Sequence, residues 1–219
     1  MRNLRQLFYT VIFLILFSAL SFGQAENDID DVDNYVTIGT QVWMVDNLKT
    51  TKFRNGDIIP NVTDKTAWKE LKTGAWCYYD NNPANGAIYG KLYNWYAVND
   101  PRGLAPKGWH IATDAEWTTL INYLGGESVA GGKLKEIGLA HWASTNTGAT
   151  NETGFSAVPG GCRDYHGTFY DIGGYGYWWS STEYGTHNAW YWSMHYTEST
   201  LETDMNRSDP FFKSYFFII

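Results

Sequence analysis

Between Arg163 and Tyr196 the chain interleaves aromatic rings with acids, histidines and amides. The polar set there is Arg163, Asp164, His166, Asp171, Glu183, His187 and Asn188, and the rings are mostly Tyr and Trp. Flat rings stack on sugar rings and give rigid, amphipathic contact area at low entropic cost. Tyr165, His166, Tyr170, Asp171, Tyr175, Tyr177, Glu183 and Tyr184 are therefore the candidate ligand-contacting residues. An enzyme would need Asp164, His166 and Glu183 to converge in one pocket. No GxSxG elbow, phosphate-binding Walker loop, HExxH or paired CxxC accompanies them. The histidines at 110, 141, 166, 187 and 195 lack metal-ligand spacing, so neither a cofactor nor a metal is expected. The same rings have a plainer use. Trp190 and Trp192 suit the buried face of a strand, and Trp178 and Trp179 suit a core.

Composition narrows the setting. Arg2 and Arg5 precede an apolar run over residues 7–20, and small residues follow before Gln24. The pattern reads as an export signal over residues 1–23. A membrane span needs about 20 apolar residues, so the run is short for an anchor. No transmembrane anchor is expected in the mature chain, which would be secreted, periplasmic or held at the cell surface. Cleavage there leaves 14 basic against 23 acidic residues. That balance, with no basic stripe, argues against a nucleic-acid partner. Residues 24–34 hold an acidic run, Glu26 to Asp33, without the glycine and closing glutamate of an EF-hand, and read as a solvated linker. Residues 35–219 are long enough for one domain with a real core.

The element that announces itself most clearly lies at residues 108–126, GWHIATDAEWTTLINYLGG. Thr113 and Glu116 form a capping box, and Trp117, Leu120, Ile121 and Leu124 recur at i, i+3, i+4 and i+7. Gly125 and Gly126 then end the helix. Upstream, residues 35–38, a Gly39-Thr40 turn and residues 41–45 make a hairpin. Asn55-Gly56-Asp57 is a turn, and residues 66–72 form a short helix. Residues 76–79 form a strand closed by Asp80 to Pro83, and residues 92–98 a helix with Leu92, Trp95 and Tyr96 on one face. Residues 144–176 form a long loop region rich in Gly, Thr, Asn and Asp. Along residues 189–196, Trp190, Trp192, Met194 and Tyr196 form a buried face, and Ala189, Tyr191, Ser193 and His195 a wetter one. A further strand alternates Leu201, Thr203 and Met205 with Glu202, Asp204 and Asn206. Antiparallel strands with a capped helix beside them give an α+β class.

The capped string resembles the Fibrobacter succinogenes major paralogous domain, whose members carry GWH, a small polar cap, EW and a helix closing in LGG. Further blocks carry the resemblance: VTIGTQVWM (36–44), DNL (46–48), WCYYDN (76–81), GKLYNWYAV (90–98), GFSA and PGG (154–161), YWWSSTE (177–183) and KSY (213–215). The family is similar to C-type-lectin-like folds and, more distantly, to the formylglycine-generating enzyme. The resemblance implies antiparallel strands, two main helices and a long loop region of the kind in which lectin-like domains hold ligands. The expected function is thus an exported, non-catalytic binding or adhesion module that contacts a glycan or cell-surface protein. A structural envelope component with no ligand is the alternative. The cysteine pair of the formylglycine-generating enzyme is absent, as are the EPN, QPD and WND motifs of calcium-dependent sugar lectins.

Two features depart from the family pattern. Members usually end in a strand bearing a Cys, the natural partner of the Cys in the WCYYDN block. Here that residue is missing, and Cys162 follows PGG where an aromatic residue is more usual. Cys77 and Cys162 are either a replacement disulfide, worth about 4 kcal/mol through its long loop, or two separate thiols. After KSY the chain runs into Phe216-Phe217-Ile218-Ile219 instead of an alternating strand. The departure implies a disrupted reading frame or a short, genuinely divergent last strand.

Overall fold

The computed structural model describes residues 34–185, 189–203 and 216–217. Residues 1–33, and with them the export signal and all but the last residue of the acidic linker, lie outside the described residues, as do His187, Asn188 and the expected strand positions Asp204, Met205 and Asn206.

The first hairpin forms as its turn residues require. Strands β1 (Tyr35–Ile38) and β2 (Gln41–Met44) pair antiparallel with Ile38 opposite Gln41. Gly39 turns with φ of 63°, and a Cβ there would meet the Tyr123 ring at 2.9 Å. Glycine thus serves both the left-handed backbone and the close approach of that ring.

Between residues 65 and 98 the structure departs from the expected elements. Helix α1 is Lys65–Lys69, capped by the Asp64 carboxylate, and begins one residue earlier and ends three earlier than expected. Strand β3 is only Trp76–Cys77. A 3-10 turn (Tyr79–Asn81) follows, and then a helix that the Asp-Asn-Asn-Pro run had masked, α2 (Pro83–Tyr89). Asn82 caps it and Pro83 takes its first turn, where a missing N–H costs nothing. The single helix expected over 92–98 is instead β4 (Leu92–Asn94) followed by α3 (Trp95–Val98). Asn94 makes the switch. Its buried side chain accepts from the N–H of Ala97 at 3.1 Å and of Ala75 at 3.0 Å, and donates to the Thr73 carbonyl at 2.8 Å. One amide therefore caps the helix and ties the preceding segment to the strand.

Helix α4 (Asp114–Tyr123) carries the expected capping box: the Thr113 hydroxyl accepts from Glu116 N–H at 3.2 Å, and the Glu116 carboxylate accepts from Thr113 N–H at 2.8 Å. Trp117, Leu120, Ile121 and Leu124 are all buried. Helix α5 (Glu127–Leu134) follows directly.

The long region from 144 to 176 is mostly irregular and holds two short strands, β5 (Cys162–Arg163) and β6 (Phe169–Tyr170). Strands β7 (Tyr175–Glu183), β8 (Ala189–His195) and β9 (Leu201–Thr203) form a three-stranded antiparallel sheet. Phe216–Phe217 is a last strand, β10, lying between β4 and β5 in a sheet of order β3-β4-β10-β5-β6. Small antiparallel sheets with several helices make the fold α+β.

Strand β8 is buried on both faces, which overturns its expected two-sided character. Trp192 and Met194 join a core with Trp178 and α4, while Ala189 and Tyr191 join a second core with Tyr177 and Trp179. The strand lies between β7 and β9 with a core on each side, so Tyr191 is 2 % exposed and Ser193 is also buried, whereas Trp190 is half-buried.

The expected alternative of a Cys77–Cys162 bridge is not realised: both side chains are buried thiols, not joined to each other. Strands β4 and β10 stand between β3 and β5, and the two side chains belong to different cores. Burial pushes the Cys77 thiol up to about 12, against the pull of the nearby Arg163 guanidinium.

Two buried cations replace a crosslink. Arg163 donates to the carbonyls of Val62 (2.9 Å), Thr63 (3.0 Å) and Gly167 (3.2 Å), and its guanidinium lies 3.6 Å from the Trp68 ring centre. Its expected place among the polar partners of a contact surface is corrected, since it is wholly buried. Lys135 is likewise fully buried, with its ammonium held by the carbonyls of Thr147, His195 and Glu198. Buried charge survives only when its donors are satisfied, and here the segment before α1, the long loop and the end of β8 with its turn supply the acceptors.

Candidate functional site

The residues expected to contact a ligand do not form one surface. Tyr165 is half-buried against the exposed His166 ring, with ring centres 3.8 Å apart. Tyr170 is 47 % exposed at the end of β6. Asp171 is exposed, and its carboxylate accepts from the Tyr177 hydroxyl at 2.8 Å. Tyr177 itself is only 6 % exposed and packs in the second core, so its place in a contact surface is corrected. Tyr175 is half-buried, stacked on Tyr177 (5.3 Å) and His195 (4.1 Å). Glu183 and Tyr184 are exposed, the latter edge-on to Trp190 at 5.0 Å. Nine residues of extended chain separate Tyr175 from Tyr184, so those two lie up to about 30 Å apart. Asp164 is buried, with a carboxylate oxygen accepting from Thr168 N–H at 2.7 Å. Asp164, His166 and Glu183 do not line the large aromatic cavity of this protein.

That cavity lies elsewhere, at the first hairpin and the entrance to α4. Its volume is about 600 Å³, within the ~300–1,000 Å³ span of small-ligand sites. Strand β2 and the residues after it supply Gln41, Trp43, Met44, Asp46 and Asn47. The segment ahead of the capped helix supplies Trp109, His110 and Ile111, the helix adds Glu116 and Trp117, and β7 adds Trp178 and Trp179. Phe155 closes one wall, so six of the lining side chains are Trp or Phe. Trp43 and Trp117 lie 4.9 Å apart and tilted, with Phe155 edge-on to both. At the rim the half-buried Trp109 stands 6.2 Å from the exposed Tyr35 ring.

Local folding fixes the polar groups of this cavity. The Glu116 carboxylate accepts from the N–H and hydroxyl of Thr113, each at 2.8 Å, and from His110 Nε2 at 2.7 Å. Burial pushes this carboxyl up, but the Thr113 and His110 donors outweigh it and hold it below its ordinary value. Glu116 is therefore an ionised acceptor at neutral pH. Asn47 is held by its own bonds: Nδ2 donates to the Tyr89 carbonyl at 3.0 Å, and Oδ1 accepts from Trp178 Nε1 at 3.3 Å. Gln41 Nε2 donates to the Glu116 carbonyl at 3.1 Å, binding the hairpin to the helix.

Reading the sequence for chemistry passed over Trp43, Asp46, Trp109 and His110. The signal was present, since Trp43 lies in the first family block and Trp109-His110 opens the capped string. In the sequence these residues mark only the family's blocks, because their meeting requires segments about 65 residues apart to pack together.

Among the described residues no group of three or more His, Cys, Asp or Glu is placed to hold a metal ion, and no helix is long and apolar enough to cross a membrane. No curated protein and no solved structure matches the chain. The match to the Fibrobacter succinogenes major domain runs over residues 36–215 and takes in the hairpin, the capped helix and the cavity between them, so the chain belongs to that family.

Proposed function

We propose that this chain is an exported, non-catalytic binding and adhesion module that contacts a cell-surface glycan through the aromatic cavity beside β2 and α4. The observation that carries the reading is the cavity itself: indole walls, a half-exposed Trp109 at the rim, and fixed hydrogen-bonding groups at the mouth. Sugar rings offer an apolar C–H face to such walls and hydroxyl edges to such groups. A C-type-lectin-like arrangement is part of the proposal, supported by the antiparallel strands, the capped helix and the long region from 144 to 176. The contact surface differs from the loop first expected, because Tyr177 is buried and the remaining tyrosines are dispersed.

A glycan array combined with pull-down from cell envelopes tests the reading. Saturable binding should be lost in Trp109→Ala and Tyr35→Ala and retained in Tyr170→Ala and Tyr184→Ala. The opposite pattern returns the contact surface to the loop tyrosines, and capture of an envelope protein alone makes the partner a surface protein. A structural envelope component is the second reading, favoured by how much of the aromatic inventory is core. It requires a folded protein that captures no ligand.

A further inference from the structure

The mouth of the aromatic cavity is acidic. Its ionisable lining residues are Asp46, Glu116 and His110, and no Lys or Arg lines it. An ionised carboxylate only accepts, so the 2.7 Å contact with Glu116 makes Nε2 the protonated nitrogen of His110. His110 is well exposed. Asp46 is also exposed. Its Oδ2 takes a hydrogen bond from Asn34 at 3.2 Å, while Oδ1 has no partner among the described residues.

A ligand seated against Asp46 must bring a donor. An anionic group would meet two carboxylates and no lining Lys or Arg, in a cavity whose apolar walls weaken solvent screening. A wholly apolar ligand would cover Asp46 and His110 without satisfying them. Hydroxyl groups donating to a carboxylate form short, charge-assisted bonds.

Resting on the glycan-binding reading above, we propose that the cavity selects uncharged, hydroxyl-rich sugar rings. A hydroxyl donates to Asp46 Oδ1, the C–H face lies on Trp109, and uronate, sialate and sulfated sugars are rejected.

The test is a matched pair: a neutral hexose oligosaccharide and the same oligosaccharide oxidised at C6 to the uronate. Each is titrated into the exported chain by calorimetry and tryptophan fluorescence. The neutral sugar should bind saturably, and the uronate at least about tenfold more weakly. In Asp46→Asn that gap should close to about threefold or less, because one like charge is gone. Raising salt should narrow it in the wild type as well. Equal or tighter uronate binding by the wild type overturns the inference and leaves glycan binding standing, as does an unchanged gap in Asp46→Asn. Absence of any sugar binding by the folded chain, or binding unaffected by both Trp109→Ala and Tyr35→Ala, overturns the cavity reading itself.

Discussion

The Lys135 ammonium lies 2.7 Å from the carbonyl oxygen of Glu198, a residue 63 positions later, and thereby joins the end of α5 to the β8–β9 turn. Two more carbonyls, of Thr147 and His195, complete its contacts at 2.9 and 3.1 Å. Burial lowers this amine to about 8, against the opposing pull of Glu198. Lys135→Met keeps the stem volume but strands three carbonyls, and should destabilise by roughly 3 kcal/mol in chemical denaturation.

The same site makes a pH prediction. Between pH 8 and the ordinary lysine value of 10.5, the unfolded chain holds a proton that the folded one has released. The Lys135 contribution to stability therefore rises with pH across that window. Melting temperatures of the wild type, referenced to Lys135→Met, should climb from pH 8 to 10.5 and stay level below 8. A decline over that range would mean the folded state holds the proton more tightly than water does.

Thr113→Ala should cost about 1 kcal/mol, since it removes the acceptor for Glu116 N–H. It also takes one donor from the Glu116 carboxylate, whose folded value lies below its unfolded one. That carboxylate contributes stability above its unfolded value and loses it as the pH falls through the folded value. The difference between wild type and Thr113→Ala should shrink on acidification from pH 5 to 3, as followed by urea denaturation. A constant difference would show that only the cap matters.

What could be read in the sequence was what neighbours in sequence decide. Thr113 and Glu116 stand three residues apart, so the capping box was visible, as was the Gly39-Thr40 turn. Leu92 to Val98 was misread because its side-chain spacing is equally compatible with strand and helix. The deciding bonds of Asn94 reach Thr73 and Ala75, outside any local window. Tyr191 looked solvent-facing because alternation shows only that a strand has two faces, and the second core covering that face comes from other segments, including Phe53, Ile59, Tyr93 and Leu104. The cavity was hidden for the same reason: Trp43, Trp109 and Trp178 converge only when three distant segments pack.

Cysteine chemistry gives a third check. With Cys77 and Cys162 buried and not joined to each other, reductant should leave the melting temperature unchanged. Neither thiol should react with a maleimide or iodoacetamide until the chain unfolds, because the thiolate is the nucleophile and burial holds Cys77 up at about 12. Mass spectrometry of the native and urea-unfolded protein, each alkylated without reductant, should find no adduct and two adducts respectively. No adduct in either state would establish a disulfide.

Gly131 and Gly132 occupy the middle of α5, where alanine is ordinarily the better residue by about 0.5–1 kcal/mol. Close packing reverses that preference at 131. A Cβ there would fall 2.3 Å from the Thr200 carbonyl oxygen and 2.9 Å from that of Ser199. Both obstacles are backbone, so no side chain can swing aside. The Gly132 N–H donates to the same Ser199 carbonyl at 2.9 Å, and Gly132 would itself meet the Gly148 carbonyl at 2.4 Å. Relieving the Gly131 clash moves the β8–β9 turn away from α5 and stretches the contact between Lys135 and Glu198. Overpacking of this kind costs ~1–3 kcal/mol, more than the helix preference returns. Gly131→Ala should therefore lose about 1–2 kcal/mol net in denaturant titration. Gly138→Ala, which meets open space but has φ of 82°, is the control for backbone strain alone. Lys135→Met combined with Gly131→Ala should be less than additive, because both loosen the same turn. A stabilised Gly131→Ala would show that the turn does not press on the helix in solution.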